Sequence, residues 1–145
     1  MPASTAVQLH AGLDAWRSEV MRRVRNGRLV CLSTALSRAP AGIRATYISV
    51  PRSVQPFLGG VALDHNKAPG RVPPGKGLLT LAALNDWSEA HFEDGDDELA
   101  ARLLEALEAV IPGAAGDVEH TEVNRWTQEY SPVGHYRDLG RFRAE

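Results

Sequence analysis

The chain lacks most of the features that assign a protein quickly. It has one cysteine, Cys31, in 145 residues. An internal disulfide is therefore excluded, and the usage fits a reducing cytoplasm. Cys31 sits in an apolar run, which marks an inert buried thiol rather than a nucleophile. Positive charge is not in excess: 16 Lys and Arg stand against 18 Asp and Glu, for a formal charge of −2. A nucleic-acid binder carries a basic footprint, and this chain has none overall. No apolar run approaches the ~20 residues of a membrane-spanning helix. The first residues show no charged-then-apolar leader pattern, so a cytoplasmic location is expected. The five histidines (His10, His65, His91, His120, His135) have no close pairing, and no metal site is expected. No G-x-G-x-x-G occurs, so the turn that lets backbone approach a dinucleotide pyrophosphate is missing. No nucleophile elbow anchors Ser/His/Asp chemistry, and no catalytic residue is assigned.

What is present is ordinary globular material, 43% apolar and 23% charged. The length suits a single domain over 1–145 with a real core. Residues 3–11 predict a short helix with Ser4 or Thr5 near its start. Asp14 predicts the cap of a second helix, with Leu13, Trp16, Val20 and Val24 on one face and Gly27 closing it. The arginines around that helix suit a solvated face or a contact to an anionic group. Leu29–Leu36 predicts a buried central strand, Arg44–Val50 a second, Val61–Leu63 a short third and Leu78–Leu84 a fourth. Asn85–Phe92 reads as a connection. Asp94 or Asp96 caps a long helix whose Leu99, Leu103, Leu107 and Val110 share one face. The order predicts an α+β fold: a mostly antiparallel or mixed sheet with helices on one face.

Three local patterns carry no chemistry. Gly70–Gly77 matches most of a phosphate-binding loop, but Gly77 lacks the metal-binding hydroxyl and Pro73 and Pro74 lack N–H donors. The acidic run from Glu93 to Glu98 is helix capping, because a Ca²⁺ loop needs a ligand spacing that it lacks. Asp64-His65 reads as a surface turn, since neighbours on an extended chain point apart.

The most informative stretch is Asp117–Tyr136. It predicts a strand to about Thr127, then an irregular run stopped by Pro132 and Gly134. Tyr130, His135 and Tyr136 fall on that irregular run. Aromatics delivered into a turn suit the wall of a pocket as well as a core Trp and a surface turn. The run V-N-R-W-T-Q-E-Y-S-P-V-G-H-Y resembles the late substrate-domain strand of the flavin-containing amine oxidase superfamily, which includes protoporphyrinogen oxidases, phytoene desaturases and amine oxidases. Val123, Arg125, Trp126, Pro132 and Gly134 carry the likeness. Met1, at the family's Thr-Pro step, Ser37-Arg38-Ala39-Pro40, Lys67–Thr80 and Asp96–Gly113 extend the resemblance over nearly the whole chain.

The resemblance implies part of the substrate domain of an FAD-dependent oxidoreductase. In the intact family, FAD takes a hydride from a C–H beside nitrogen or from a saturated carbon. It implies Trp126, Tyr130, His135 and Tyr136 as substrate-pocket or domain-junction residues, with Arg125 as a brace. Neither the dinucleotide fingerprint nor the family's C-terminal Ala-Gly-Asp flavin segment is present. No cofactor site and no activity of the chain alone are therefore expected. The implied partners are a small-molecule substrate and a flavin-domain partner or a second copy, and the two chain ends should lie near one another. A free-standing α+β binding or interaction module is the other function class.

Overall fold

A computed structural model describes residues 3–131 and 133–144. The expectations resting on Met1 and Pro132 lie outside them. The chain divides into a larger unit, Arg28–Trp126, and a smaller one, Met1–Gly27 with Thr127–Glu145.

The larger unit is built on a five-stranded sheet. Its strands are β1 (Arg25–Leu36), β2 (Tyr47–Ser49), β3 (Leu58–Leu63), β4 (Gly77–Ala83) and β5 (Val118–Tyr130), in the order β2-β3-β4-β1-β5. β1 and β5 also carry the ends that belong to the smaller unit. The paired strands run antiparallel: Leu32 faces Leu81, Val61 faces Leu81 from the other side, and Ile48 faces Val61. β5 continues the same sense, since Ser37 N–H donates to Asp117 O and Thr34 Oγ1 to His120 O.

Strand alternation decides what each face holds. One face carries Val30, Leu32, Leu36, Leu58, Val61, Leu63, Leu79 and Leu81, all buried. Helix α4 (Asp96–Glu108) presents Leu99, Leu103 and Leu107 as expected, with Ala106 beside them, and they join the same core. It ends before Val110, which is not on its face but packs against that core from the following segment. Its cap is Gly95 rather than an acid. Asp96, Asp97 and Glu98 fill its first turn, where the positive helix end favours them.

The segment Asn85–Phe92 is not a plain connection. Asn85–His91 forms a helix, α3. Its Ser88 is fully buried and Ser88 Oγ accepts the Val30 N–H at 3.0 Å, while Glu89 accepts the Arg28 N–H at 2.9 Å. Two backbone donors at the start of β1 are thus met by a helix. Trp87 stacks on Phe57 with ring centres 4.9 Å apart, and both pack against the core. Both helices of this unit therefore lie on the leucine face.

Other boundaries also move. The strand predicted over Arg44–Val50 contracts to β2, and Val61–Leu63 extends back to Leu58, past a bulge at Gly59. Asp64-His65 opens a single 3-10 turn, Asp64–Asn66, and Asp64 is only 7% exposed, so it is no surface turn.

In the smaller unit, α1 (Ala3–Leu9) and α2 (Ala15–Arg22) form as expected, and the Arg17 N–H donates to Asp14 at 2.7 Å. The helix ends at Arg22, so Gly27 is no cap and Val24 is not on its face; Gly27 belongs to β1. The predicted irregular run after Thr127 is corrected twice. β5 continues to Tyr130, and His135–Ala144 forms a helix, α5. Gly134, at φ +90°, is the turn into that helix instead of a stop. α5 packs on α2: Trp16 lies 6.3 Å from Phe142, Arg141 sits over Trp16, and Arg23 pairs with Asp138. α2, near the start of the chain, and α5, near its end, therefore meet.

Leu103→Ala should lower the unfolding free energy by ~2–5 kcal/mol through the cavity it opens. Leu9→Ala, at a side chain 72% exposed, should change it little. Urea denaturation of the two variants checks the contrast.

Candidate functional site: the second face of the sheet

The sheet face opposite α3 and α4 is built mostly from small side chains, with Leu78 the larger exception. Alternation and register place Cys31, Ser33 and Ala35 of β1 beside Ala82, Thr80 and Leu78 of β4, and Gly60 and Ala62 of β3 beside Ala82 and Thr80. Tyr47 and Ser49 extend these rows onto the edge strand β2. On the opposite edge, Asn124 Nδ2 reaches Ser33 Oγ at 3.4 Å. Trp126, two residues further along β5, shares the face of Asn124.

The result is a low floor between two aromatic edges. Tyr47 is 52% exposed and Trp126 56%. The Tyr47 ring crosses the floor at Gly60, where an added Cβ would lie 2.1 Å from the Tyr47 hydroxyl oxygen. Only glycine leaves that space. The floor's polar groups are neutral hydroxyls and an amide from Ser33, Ser49, Thr80 and Asn124. Cys31 lies in it, and burial pushes its thiol above the ordinary range. A raised thiol at a largely covered position is a poor nucleophile.

One end of the floor is held by Asp64. Its carboxylate accepts from Lys67 Nζ and from Thr80 Oγ1, each at 2.7 Å. Burial pushes this carboxyl up, but the Lys67 ammonium and the Thr80 hydroxyl outweigh it, and the group ends below its ordinary range. Both oxygens are engaged, so Asp64 fixes the 3-10 turn against β4 and is no free base.

Arg125 and Trp126 are neighbours with opposite duties. The Arg125 guanidinium donates to Phe92 O at 2.7 Å, Asp94 O at 2.6 Å and Asp96 Oδ1 at 2.6 Å. It ties β5 to the junction between α3 and α4, which is the bracing role expected of it. With Arg125 committed to the helix side, the pleat turns Trp126 to the floor.

The other expected site residues fall in the smaller unit. Tyr130 ends β5 and is 43% exposed, and Tyr136 on α5 is 81% exposed. His135 and Tyr136 meet edge to face at 5.8 Å. Tyr47 was not among the expected site residues. Its signal in the sequence was the Gly59-Gly60 pair within a strand-like run, which marks a close approach by another group.

A dinucleotide cofactor needs a strand running through a glycine turn into a helix whose start welcomes phosphate. β4 runs into α3 through Leu84 with Asp86 in the first turn, a junction with no glycine that opposes an anion. β5 leads to α5 past Gly134, but Asp138 stands in that helix's first turn and no G-x-G-x-x-G precedes it. Neither junction fits a flavin pyrophosphate. No group of three or more His, Cys, Asp or Glu suited to a metal occurs among the described residues. No helix among them is long and apolar enough to cross a membrane.

This sheet-and-helix arrangement recurs in solved oxidase structures. A protein assigned as a protoporphyrinogen oxidase from Exiguobacterium sp. 255-15 superposes with a TM-score of 0.75 at 17% identity, over 100% of this chain and 32% of its own. Cyclohexylamine oxidase from Brevibacterium oxydans IH-35A superposes with a TM-score of 0.68 at 14% identity, over 97% and 32%. A redesigned putrescine oxidase gives 0.59 at 15% identity, over 77% and 23%. The chain thus has the fold of one part of these proteins and spans a third of their length or less. No curated protein matches it in sequence. Residues 1–142 match the flavin-containing amine oxidoreductase family, and the chain belongs to that family.

Two variants separate brace from floor. Arg125→Met should cost roughly 2–3 kcal/mol in urea denaturation, because it strips donors from two carbonyls and a carboxylate, and Arg125→Lys should recover little of it. Asp64 supplies the pH test. Its folded value is lowered, so its stabilising effect is complete above the ordinary carboxylate range and is lost as pH falls through the folded value. Stability should drop on acidification below about pH 4, and Asp64→Asn should flatten that drop.

Proposed function

We propose that this chain is the substrate-binding-domain portion of an FAD-dependent oxidoreductase and is inactive without a flavin-bearing partner or domain. The observation that carries this reading is the floor: a rigid sheet backed by a leucine core, surfaced with small neutral side chains, and edged by Tyr47 and Trp126. Such a surface admits a flat or elongated apolar molecule and gives it hydroxyls to orient against. Family membership supports the flavin chemistry, which the cofactor itself would supply. Within this reading Trp126 lines the substrate cavity. Tyr130, His135 and Tyr136, in the smaller unit, serve substrate binding or the junction with the flavin-bearing part. Arg125 holds the strand that presents Trp126, Asp64 fixes the floor's end, and neither exchanges a proton with substrate.

A second reading, a free-standing binding or interaction module, draws on the same exposed aromatics. Tyr47, Trp126 and Tyr136 could equally meet another protein surface or a second copy.

The purified chain, incubated with FAD and desalted, should show no flavin band in its visible spectrum. A retained band overturns the proposal that the cofactor site lies outside this chain. Light scattering on the same sample separates the readings: a stable self-contained oligomer favours the module, and a monomer the domain portion.

A further inference from the structure

On the leucine side of the larger unit lies a cleft of about 430 Å³ that shares no residue with the floor. The segment after β1 forms one wall and the segment after α4 the other. Its apolar lining includes Ala41, Ile43, Val110 and Ile111, and Arg38 and Asp117 stand in the same lining. The volume falls within the range of small-molecule sites. Both charged residues take part in defined contacts. Arg38 Nε donates to Asp117 Oδ2 at 2.8 Å, and Ser37 Oγ reaches Asp117 Oδ1 at 3.4 Å. Both carboxylate oxygens of Asp117 are therefore engaged. Arg38 keeps its end-on edge, Nη1 and Nη2, without a partner among the described residues, and its side chain is 77% exposed.

The contacts select a ligand chemistry. A cation is opposed by the Arg38 guanidinium, which already neutralises Asp117. A strongly polar molecule would desolvate against Ile43, Val110 and Ile111 without compensation. A guanidinium with its Nε side fixed offers its outer edge as a flat two-donor fork, which matches a carboxylate. We propose that this cleft binds a small monocarboxylate with an apolar body, its carboxylate on Nη1 and Nη2 of Arg38 and its body against Ala41, Ile43, Val110 and Ile111. The proposal stands independently of the reading of the floor.

Sodium octanoate is the probe, with octan-1-ol as its uncharged counterpart, titrated into the full ¹⁵N-labelled chain. Octanoate should give saturable shifts centred on the amides of Arg38, Ala41, Ile43, Val110 and Ile111. Octan-1-ol should bind about tenfold more weakly or worse, as expected for loss of a charge-assisted hydrogen-bond pair. Arg38→Gln should weaken octanoate by a similar factor and leave octan-1-ol unchanged. Ala41→Trp, at an exposed position, should fill the cleft and abolish binding of both. The unperturbed amide spectrum of each variant controls for folding. Absence of saturable shifts, shifts centred on Tyr47 and Trp126, or equal affinity for octanoate in the parent and Arg38→Gln overturns the proposal.

Discussion

The packing of the sheet's leucine face against α4 is the constraint on which the rest depends. α4 lays Leu99, Leu103 and Leu107 on a sheet surface made of Leu32, Leu36, Leu58, Val61, Leu63, Leu79 and Leu81. A strand has a side-chain period of two, so fixing this set on one face fixes every alternate residue on the other. Cys31, Ser33, Thr80, Ala82, Gly60 and Ala62 are the complement of the core. Their small size is a separate fact, since the core does not demand it. Large residues would fit the second face of a sheet as readily, and a floor this low is an independent property of the sequence.

The same parity explains how a brace and an exposed aromatic come to be neighbours. Arg125 spends its guanidinium on two carbonyls and a carboxylate at the α3–α4 junction. β5 is a sheet edge with one strand neighbour, so it has less hydrogen bonding to fix its twist and position. The Arg125 contacts supply the missing restraint on the helix side. Trp126 then stands on the other side with its backbone held. An Arg-Trp pair on an edge strand is thus a single device, in which one residue secures the orientation of the next.

Elements with strong periodicity were legible in the sequence. α4, β1 and β4 carry enough apolar residues at regular spacing for pattern alone to find them. The misses have tertiary causes. α3 lacks a helical apolar repeat; it is held because Ser88 and Glu89 take backbone donors of β1. β2 shrinks to Tyr47–Ser49 because β3, its one partner, ends at Leu63 and turns into the 3-10 segment Asp64–Asn66, which leaves residues 44–46 unpaired as a strand. α5 was hidden by Gly134, a turn signal that marks a helix start as well as a stop. Its partner surface on α2, around Trp16, lies more than a hundred residues away in sequence. At the candidate site, the resemblance pointed to Trp126, while Tyr47 required knowing that Gly60 lies across the strand from the edge.

The two faces of the larger unit also differ in what they ask of a neighbour. The leucine face is already closed by α3 and α4, and what it leaves is a cleft at its margin with an anchored guanidinium. The second face is finished differently: its polar groups are neutral, its carboxylate at Asp64 is saturated by Lys67 and Thr80, and its aromatics come from the two edge strands. A surface meant only for water would not need glycine at position 60 to seat a tyrosine, nor a saturated carboxylate in place of free charge. Neutral polar groups on rigid strands can orient a neighbour without imposing a large desolvation cost. That combination suits contact with an uncharged neighbour better than contact with solvent.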